Sequence, residues 1–212
     1  MGLGLHPLSS ASGSVVTRNV ARNRRRQPPK KSQTSQILLL RGVNLGSHKR
    51  VAMPELRSLL TDAGFSEVRT YVASGNVVLS SSDSPDAVAG EAERLIAERF
   101  GFDVEVIVRT RDELAEVVAR NPLAEVAVDP KRYQVSFLES EAAAEVLERL
   151  DLPALEPERL VSIGRELYTW HPEGIGRSKL WSKLTSAGGL GARGTARNWN
   201  TVTTLLAMAD GS

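Results

Sequence analysis

ILLLRGVNLGSHKRVAMP, residues Ile37–Pro54, is the stretch whose reading decides the fold. Its opening run, Ile37 to Val43, is apolar and short enough for a central strand buried on both faces. A loop follows that carries Arg41, Asn44, Lys49 and Arg50, turned by Gly42 and Gly46, and Pro54 then suits the first turn of a helix. A polar loop between a rigid strand and a helix N-terminus is where an anion finds unpaired N–H groups.

Working outward, Leu56, Leu59, Leu60 and Ala63 share one face of that helix, and Gly64 stops it. Val68–Ser74 and Gly75–Ser80 read as a strand pair turning near Ser74-Gly75-Asn76. Ser84 caps a second helix with Pro85 inside it, Gly101 ends it, and Val104, Val106 and Val108 alternate along a further strand to Arg109. The order is βαββαβ, a ferredoxin-like unit.

Thr110 and Glu113 have the spacing of a capping box and open the next helix without a flexible linker. Tyr133, Val135 and Phe137 alternate along a strand, Ser140 is placed to cap a helix, and Leu160–Ile163 with Leu167–Trp170 form a hairpin around Gly164-Arg165. Helices over 175–186 and 196–209 close the chain, the second capped by Thr195 with Trp199, Val202, Leu206 and Ala209 as its buried stripe. The expected fold is therefore α+β, two compact ferredoxin-like (βαββαβ-type) units with C-terminal helices. Its parts are a disordered basic tail over 1–35, an N-terminal unit over 36–110 and a C-terminal unit over 111–212.

Composition narrows the chemistry. The 212 residues contain 41% hydrophobic side chains, enough for a real core, and no apolar run approaches a membrane span. The absence of cysteine removes disulfides, thiolate metal sites and cysteine nucleophiles, and with three histidines no metal site or cofactor is expected. Neither His48, in a basic loop, nor His171, before a proline, has a metal-like spacing, and neither is read as a general base. A cytoplasmic location and no membrane partner are expected; the oligomeric state stays open.

The pI of about 9.1 comes from the tail. Residues 1–35 hold seven basic residues and no acid, so the remainder carries −5. Within it, 36–54 carries +3, 55–173 carries −12 and 174–212 carries +4. The tail lacks periodic apolar positions, so burial does not offset its ordering entropy. A nucleic-acid or membrane-surface arm, an Arg-rich transit peptide and upstream translation from an early start codon all fit it, and a dispensable tail is preferred.

Several separated motifs carry a resemblance. The RG-x-N-x-G loop at Arg41–Gly46, M-x-x-L at Met53–Leu56, Y-x-x-SGNV at Tyr71–Val77, RSKL at Arg177–Leu180 and TARNWNT at Thr195–Thr201 resemble the family catalogued as domain of unknown function 1697. The similarity spans Ile37 to Ala209 and leaves the Arg-rich tail outside it. It implies a compact bacterial-type α+β protein with ferredoxin-like units. The family's biochemical role is unassigned, so no catalytic residue carries over and catalytic residues stay unknown.

Three groups of residues are candidates for a site. Arg41, Asn44, Lys49 and Arg50 form the first; the spacing is not that of a Walker loop, and the structural alternative is that Asn44 bonds its own loop and Arg41 pairs with an acidic neighbour. Ser74 and Asn76 form the second, although turn chemistry alone accounts for them. The basic segment of Arg177, Lys179, Lys183, Arg193 and Arg197, with Asn198, forms the third and is free of acids between Gly174 and Ala209. Gly189–Gly194 spells G-x-G-x-x-G but follows a helix where a strand is required, so the dinucleotide reading fails. Trp181 and Trp199 fit helix packing better than base stacking. The leading expectation is a binding module in which 41–50 and 177–197 converge on an anionic small molecule, nucleotide or nucleic-acid backbone at the junction of the two units. An enzyme using the same Arg/Asn-lined pocket, and a scaffold contacting partners through its acidic body, are the alternatives.

Overall fold

The structure, a computed structural model, describes residues 1–2, 32–46, 49–186 and 192–211. Most of the expected tail, the loop residues Ser47 and His48, and the first half of the Gly189–Gly194 motif lie outside the described residues. From Ser32 onward the chain forms one unit.

The architecture is mixed α+β, with two four-stranded antiparallel sheets. The first contains β1 (Thr34–Leu40), β2 (Ser66–Tyr71), β3 (Asn76–Ser81) and β4 (Val106–Thr110) in the order β2-β3-β1-β4. The second contains β5 (Tyr133–Leu138), β6 (Arg159–Ile163), β7 (Glu166–Trp170) and β8 (Gly194–Asn198) in the order β6-β7-β5-β8. Among the described residues six α-helices accompany the strands: α1 (Met53–Asp62), α2 (Pro85–Phe100), α3 (Arg111–Arg120), α4 (Ala144–Glu148), α5 (Lys179–Thr185) and α6 (Trp199–Ala209).

β1 is central because both its faces are apolar. Leu38 and Leu40 pack with Leu56 and Leu60 of α1 and Val88, Ala92 and Ile96 of α2. Ile37 and Leu39 join Tyr133, Val135, Phe137, Tyr168 and Trp170 of the second sheet, with α3 and α6, in one shared core. Burial of each such side chain contributes roughly 1.5–3 kcal/mol, so the two sheets are held by common apolar contacts. Local signals match their elements here: Ser84 accepts from Ala87 N, Gly101 ends α2 in the left-handed region, and Thr110 with Glu113 closes the capping box.

Three local expectations are corrected. Residues 194–198 begin no helix; they are β8, paired along β5 from Leu138↔Gly194 to Gln134↔Asn198. Asn198, not Thr195, caps α6 by accepting from Thr201 N at 2.9 Å. The alternation that marks a strand was disguised, because its inward positions hold Thr195 and Arg197. A Cβ on Gly194 would meet Phe137 O at 2.8 Å, so only glycine permits this close pairing. The helix expected over 175–186 is a 3-10 turn, Ile175–Arg177, followed by α5 capped by Ser178. α4 starts after Ala143 without a side-chain cap, so Ser140 does not serve there.

Two buried arginines join the sheets. Arg109 of β4 donates to Glu166 of β7 at 2.9 Å and to Leu138 O at 2.6 Å. Arg197 of β8 donates through Nε to Asn76 Oδ1, through Nη1 to Thr195 Oγ1 and Ala196 O, and through Nη2 to Leu40 O at 2.7 Å and Ser74 O at 3.2 Å. It therefore clasps the end of β1 and the β2–β3 turn. That turn needs Gly75, whose φ is +75° and whose added Cβ would lie 2.7 Å from Leu40 Cβ.

α5 is seated by a buried polar cluster. His171 is fully buried, with Nδ1 2.7 Å from Ser178 Oγ and Nε2 2.9 Å from Thr169 Oγ1. Ser178 Oγ accepts from Trp181 N, and Glu158 accepts from Leu180 N, so both hold the first turn of α5. Burial holds the His171 pKa below its ordinary 6.5, outweighing Glu158, whose carboxylate lies 3.5 Å away.

Two outcomes are expected. Arg197→Met leaves the Leu40 and Ser74 carbonyls and the Asn76 amide oxygen buried without a donor, and stability falls by about 3–5 kcal/mol, read as a lower urea midpoint. For His171, the unfolded chain takes up a proton below pH ~6.5 that the folded state resists, so stability drops as pH falls from there towards the folded pKa. His171→Gln, compared with the parent by urea titration between pH 7.5 and 5, flattens that acid limb.

Candidate functional site

Asn44 has a φ of +56° and spends its side chain on the loop. Its Nδ2 donates to Val51 O at 2.9 Å and Ala73 O at 2.6 Å, and its Oδ1 accepts from Val51 N at 2.9 Å. These bonds fasten the Arg41–Arg50 loop to the β2–β3 turn. Asn76 is fully buried and donates to Tyr71 O and Ser74 Oγ while accepting from Arg197. Both amides have structural roles that turn chemistry accounts for.

The cations divide by surroundings. Arg41 is half exposed and pairs with Glu105 at 2.6 Å. Lys49 donates to Asp103 O at 2.8 Å, and Arg50 is exposed, with no side-chain hydrogen bond among the described residues. Arg177 and Lys179 are exposed at the start of α5 and line none of the three cavities described below. Arg193 reaches Glu93 at 2.9 Å and Glu105 at 3.7 Å. Arg197 differs from all of these in being buried, and none of its hydrogen-bond partners is a carboxylate. Burial lowers its pKa to about 10, which still leaves it charged at neutral pH.

A cavity of about 900 Å³ opens where the end of β1 meets β5, β8 and α5. It brings together Arg41, Ser74, Arg197 and Asn198 from the sequence candidates, and excludes Asn44, Lys49, Arg50, Asn76, Arg177 and Lys179. Arg193, from the C-terminal basic segment, lines it as well, and Gln134 and Ser136 of β5 with Trp181 and Leu184 of α5 are lining residues that the sequence candidates did not include. A signal for β5 was present. Gln134 and Ser136 form the polar face of an alternating strand, yet they are only 8% and 5% exposed, so that face lies inside the protein. Trp181 lines the cavity half-buried, whereas Trp199 stacks on Tyr133 with ring centroids 4.8 Å apart.

The described lining contains three arginines and no aspartate, glutamate, histidine, lysine or tyrosine. The charged side chains of that lining are therefore all cationic. A second cavity of about 660 Å³ holds Arg41, Lys49, Arg94 and Arg193, but Glu93, Asp103 and Glu105 line it too and compensate the charge. A third, of about 510 Å³, contains Glu113, Glu116, Glu139 and Glu141 beside its arginines.

His171, Ser178 and Glu158 superficially suggest a nucleophile relay. In a relay the base meets the nucleophile through one nitrogen and the carboxylate through the other. Here Ser178 and Glu158 both face Nδ1, and Nε2 faces Thr169. The cluster is a helix seat. Among the described residues no group of three or more histidines and carboxylates is placed to hold a metal, and no helix is long and apolar enough to cross a membrane.

The fold is similar to that of the conserved bacterial protein SP0830 from Streptococcus pneumoniae. The TM-score is 0.67 at 24% identity, covering 84% of this chain and 99% of that one. No curated protein matches the chain. The family described as protein of unknown function, DUF1697, matches residues 33–168, the span that supplies the whole first sheet and the core strand β5 of the second; the chain belongs to that family.

Proposed function

We propose that this protein binds a small anionic molecule in the cavity between its two sheets, each sheet with its helices being a ferredoxin-like unit. The observation that carries the reading is the position of Arg197. A guanidinium without a carboxylate, buried against carbonyls and lining a cavity free of acidic side chains, projects positive potential into that cavity. Its N–H groups are engaged within the protein, so it contributes field, while Arg41 and Arg193 at the rim supply donors to the ligand.

A binding protein is favoured over an enzyme by the described lining, which lacks any group that titrates near neutral pH. A small molecule is favoured over a nucleic-acid backbone because Arg41 and Arg193 sit at a concave site and share Glu105, with no open row of unpaired cations between them.

A thermal-shift screen of a chain starting at Ser32, which removes the seven tail cations, tests the reading with inorganic phosphate, nucleotides and phosphorylated metabolites. A ligand at a hundredfold its Kd stabilises by about 2.7 kcal/mol, a rise of roughly 5–10 °C for a domain of this size. The Arg41→Gln, Arg193→Gln double variant loses that rise. Absence of any anion-induced shift, or a shift the double variant retains in full, removes the proposal.

A further inference from the structure

The cavity walls differ in chemistry. The half-buried ring of Trp181 and the side chain of Leu184 come from α5, Gln134 and Ser136 come from β5, and Arg41 and Arg193 stand at the rim. A bare phosphate or a compact carboxylate would engage the rim and leave the aromatic wall unused. The volume of about 900 Å³ is that of a site for a whole metabolite.

Ser136 is 5% exposed and Gln134 is 8% exposed, yet neither Ser136 Oγ nor Gln134 Oε1 has a hydrogen-bond partner among the described residues. Gln134 Nε2 donates to Lys131 O at 3.1 Å, which assigns the free end of the amide as an acceptor. Both residues line the cavity, so a hydroxyl and an amide oxygen are available there to a donor-and-acceptor edge of the occupant. Trp181 is braced by His171, whose ring lies 6.0 Å away and nearly perpendicular at 84°, so the indole is held in place beside the cavity. A fixed indole is a stacking surface for a flat ring.

From this arrangement we infer that the occupant is a nucleoside phosphate: its base lies against Trp181 and presents its edge to Gln134 and Ser136, and its phosphate meets Arg41 and Arg193. The inference rests on the anion-binding reading and adds the base to it. Arg41 pairs with Glu105 and Arg193 with Glu93 at the exposed rim, where a phosphate competes with those carboxylates for the two guanidinia, while Arg197, with no carboxylate partner, leaves its charge uncompensated beside the cavity.

The test is calorimetric titration of the full chain with AMP, GMP, CMP and UMP, with ribose 5-phosphate and inorganic phosphate in parallel. At least one nucleotide binds about tenfold or more tightly than ribose 5-phosphate, the increment expected of base stacking. Trp181→Leu brings that nucleotide down to the affinity of ribose 5-phosphate and leaves ribose 5-phosphate itself unchanged, while Trp181→Phe keeps most of the advantage. Equal binding of nucleotides and ribose 5-phosphate by the wild-type chain overturns the base and leaves the anion site standing. A nucleotide advantage that survives Trp181→Leu also overturns it, since the tail cations or another surface then account for the binding. Absence of binding by all the probes overturns both readings.

Discussion

Arg197 is the constraint on which the rest of the junction depends. A guanidinium buried among backbone carbonyls is expensive to desolvate, and it persists because Leu40, Ser74, Asn76, Thr195 and Ala196 satisfy it from both sheets at once. The carbonyls would be just as costly to leave unpaired. The end of β1, the β2–β3 turn and β8 are therefore required to meet, and Gly75 and Gly194 are the positions where a Cβ would keep them apart. Arg109 makes the corresponding tie through Glu166 and Leu138, so the shared apolar core is bordered by two polar clasps.

The same clasp links architecture to chemistry. Arg109 has a carboxylate partner, so its charge is compensated where it lies. Arg197 has none, and its field reaches the neighbouring cavity, where Arg41 and Arg193 add exposed donors. An arginine that fastens segments together and an arginine that opens onto a cavity thus lie side by side. The RG-x-N-x-G and SGNV motifs fall mostly on the structural side: Asn44 and Asn76 use their amides to lock loop to turn, and Arg41 and Ser74 reach the cavity.

Elements with strong local signals were legible from residues alone. The Ser84–Gly101 helix, the Thr110 capping box and the Gly164-Arg165 hairpin have their cap or turn chemistry within a few positions, and no distant contact overrides it. β8 was not legible. Its inward positions hold Thr195 and Arg197, and polar residues at core positions look like a helix start until the carbonyl cage that satisfies them is known. Gln134 and Ser136 were misleading in the same way, since an alternating polar face ordinarily faces solvent and here lies beneath α5.

By itself the sequence determined the family, the α+β class, the first sheet's succession of elements, and the fact that positive charge collects at 36–54 and 174–212 around an acidic body. The family follows from the resemblance of several separated motifs, and the rest from periodicity, capping and composition, which act over a few residues. Only the tertiary structure decided which cations are spent and which remain. Whether an arginine meets a carboxylate, a ring of carbonyls or an open cavity depends on segments as far apart in the chain as Leu40 and Arg197, and only the folded core brings them within hydrogen-bond reach.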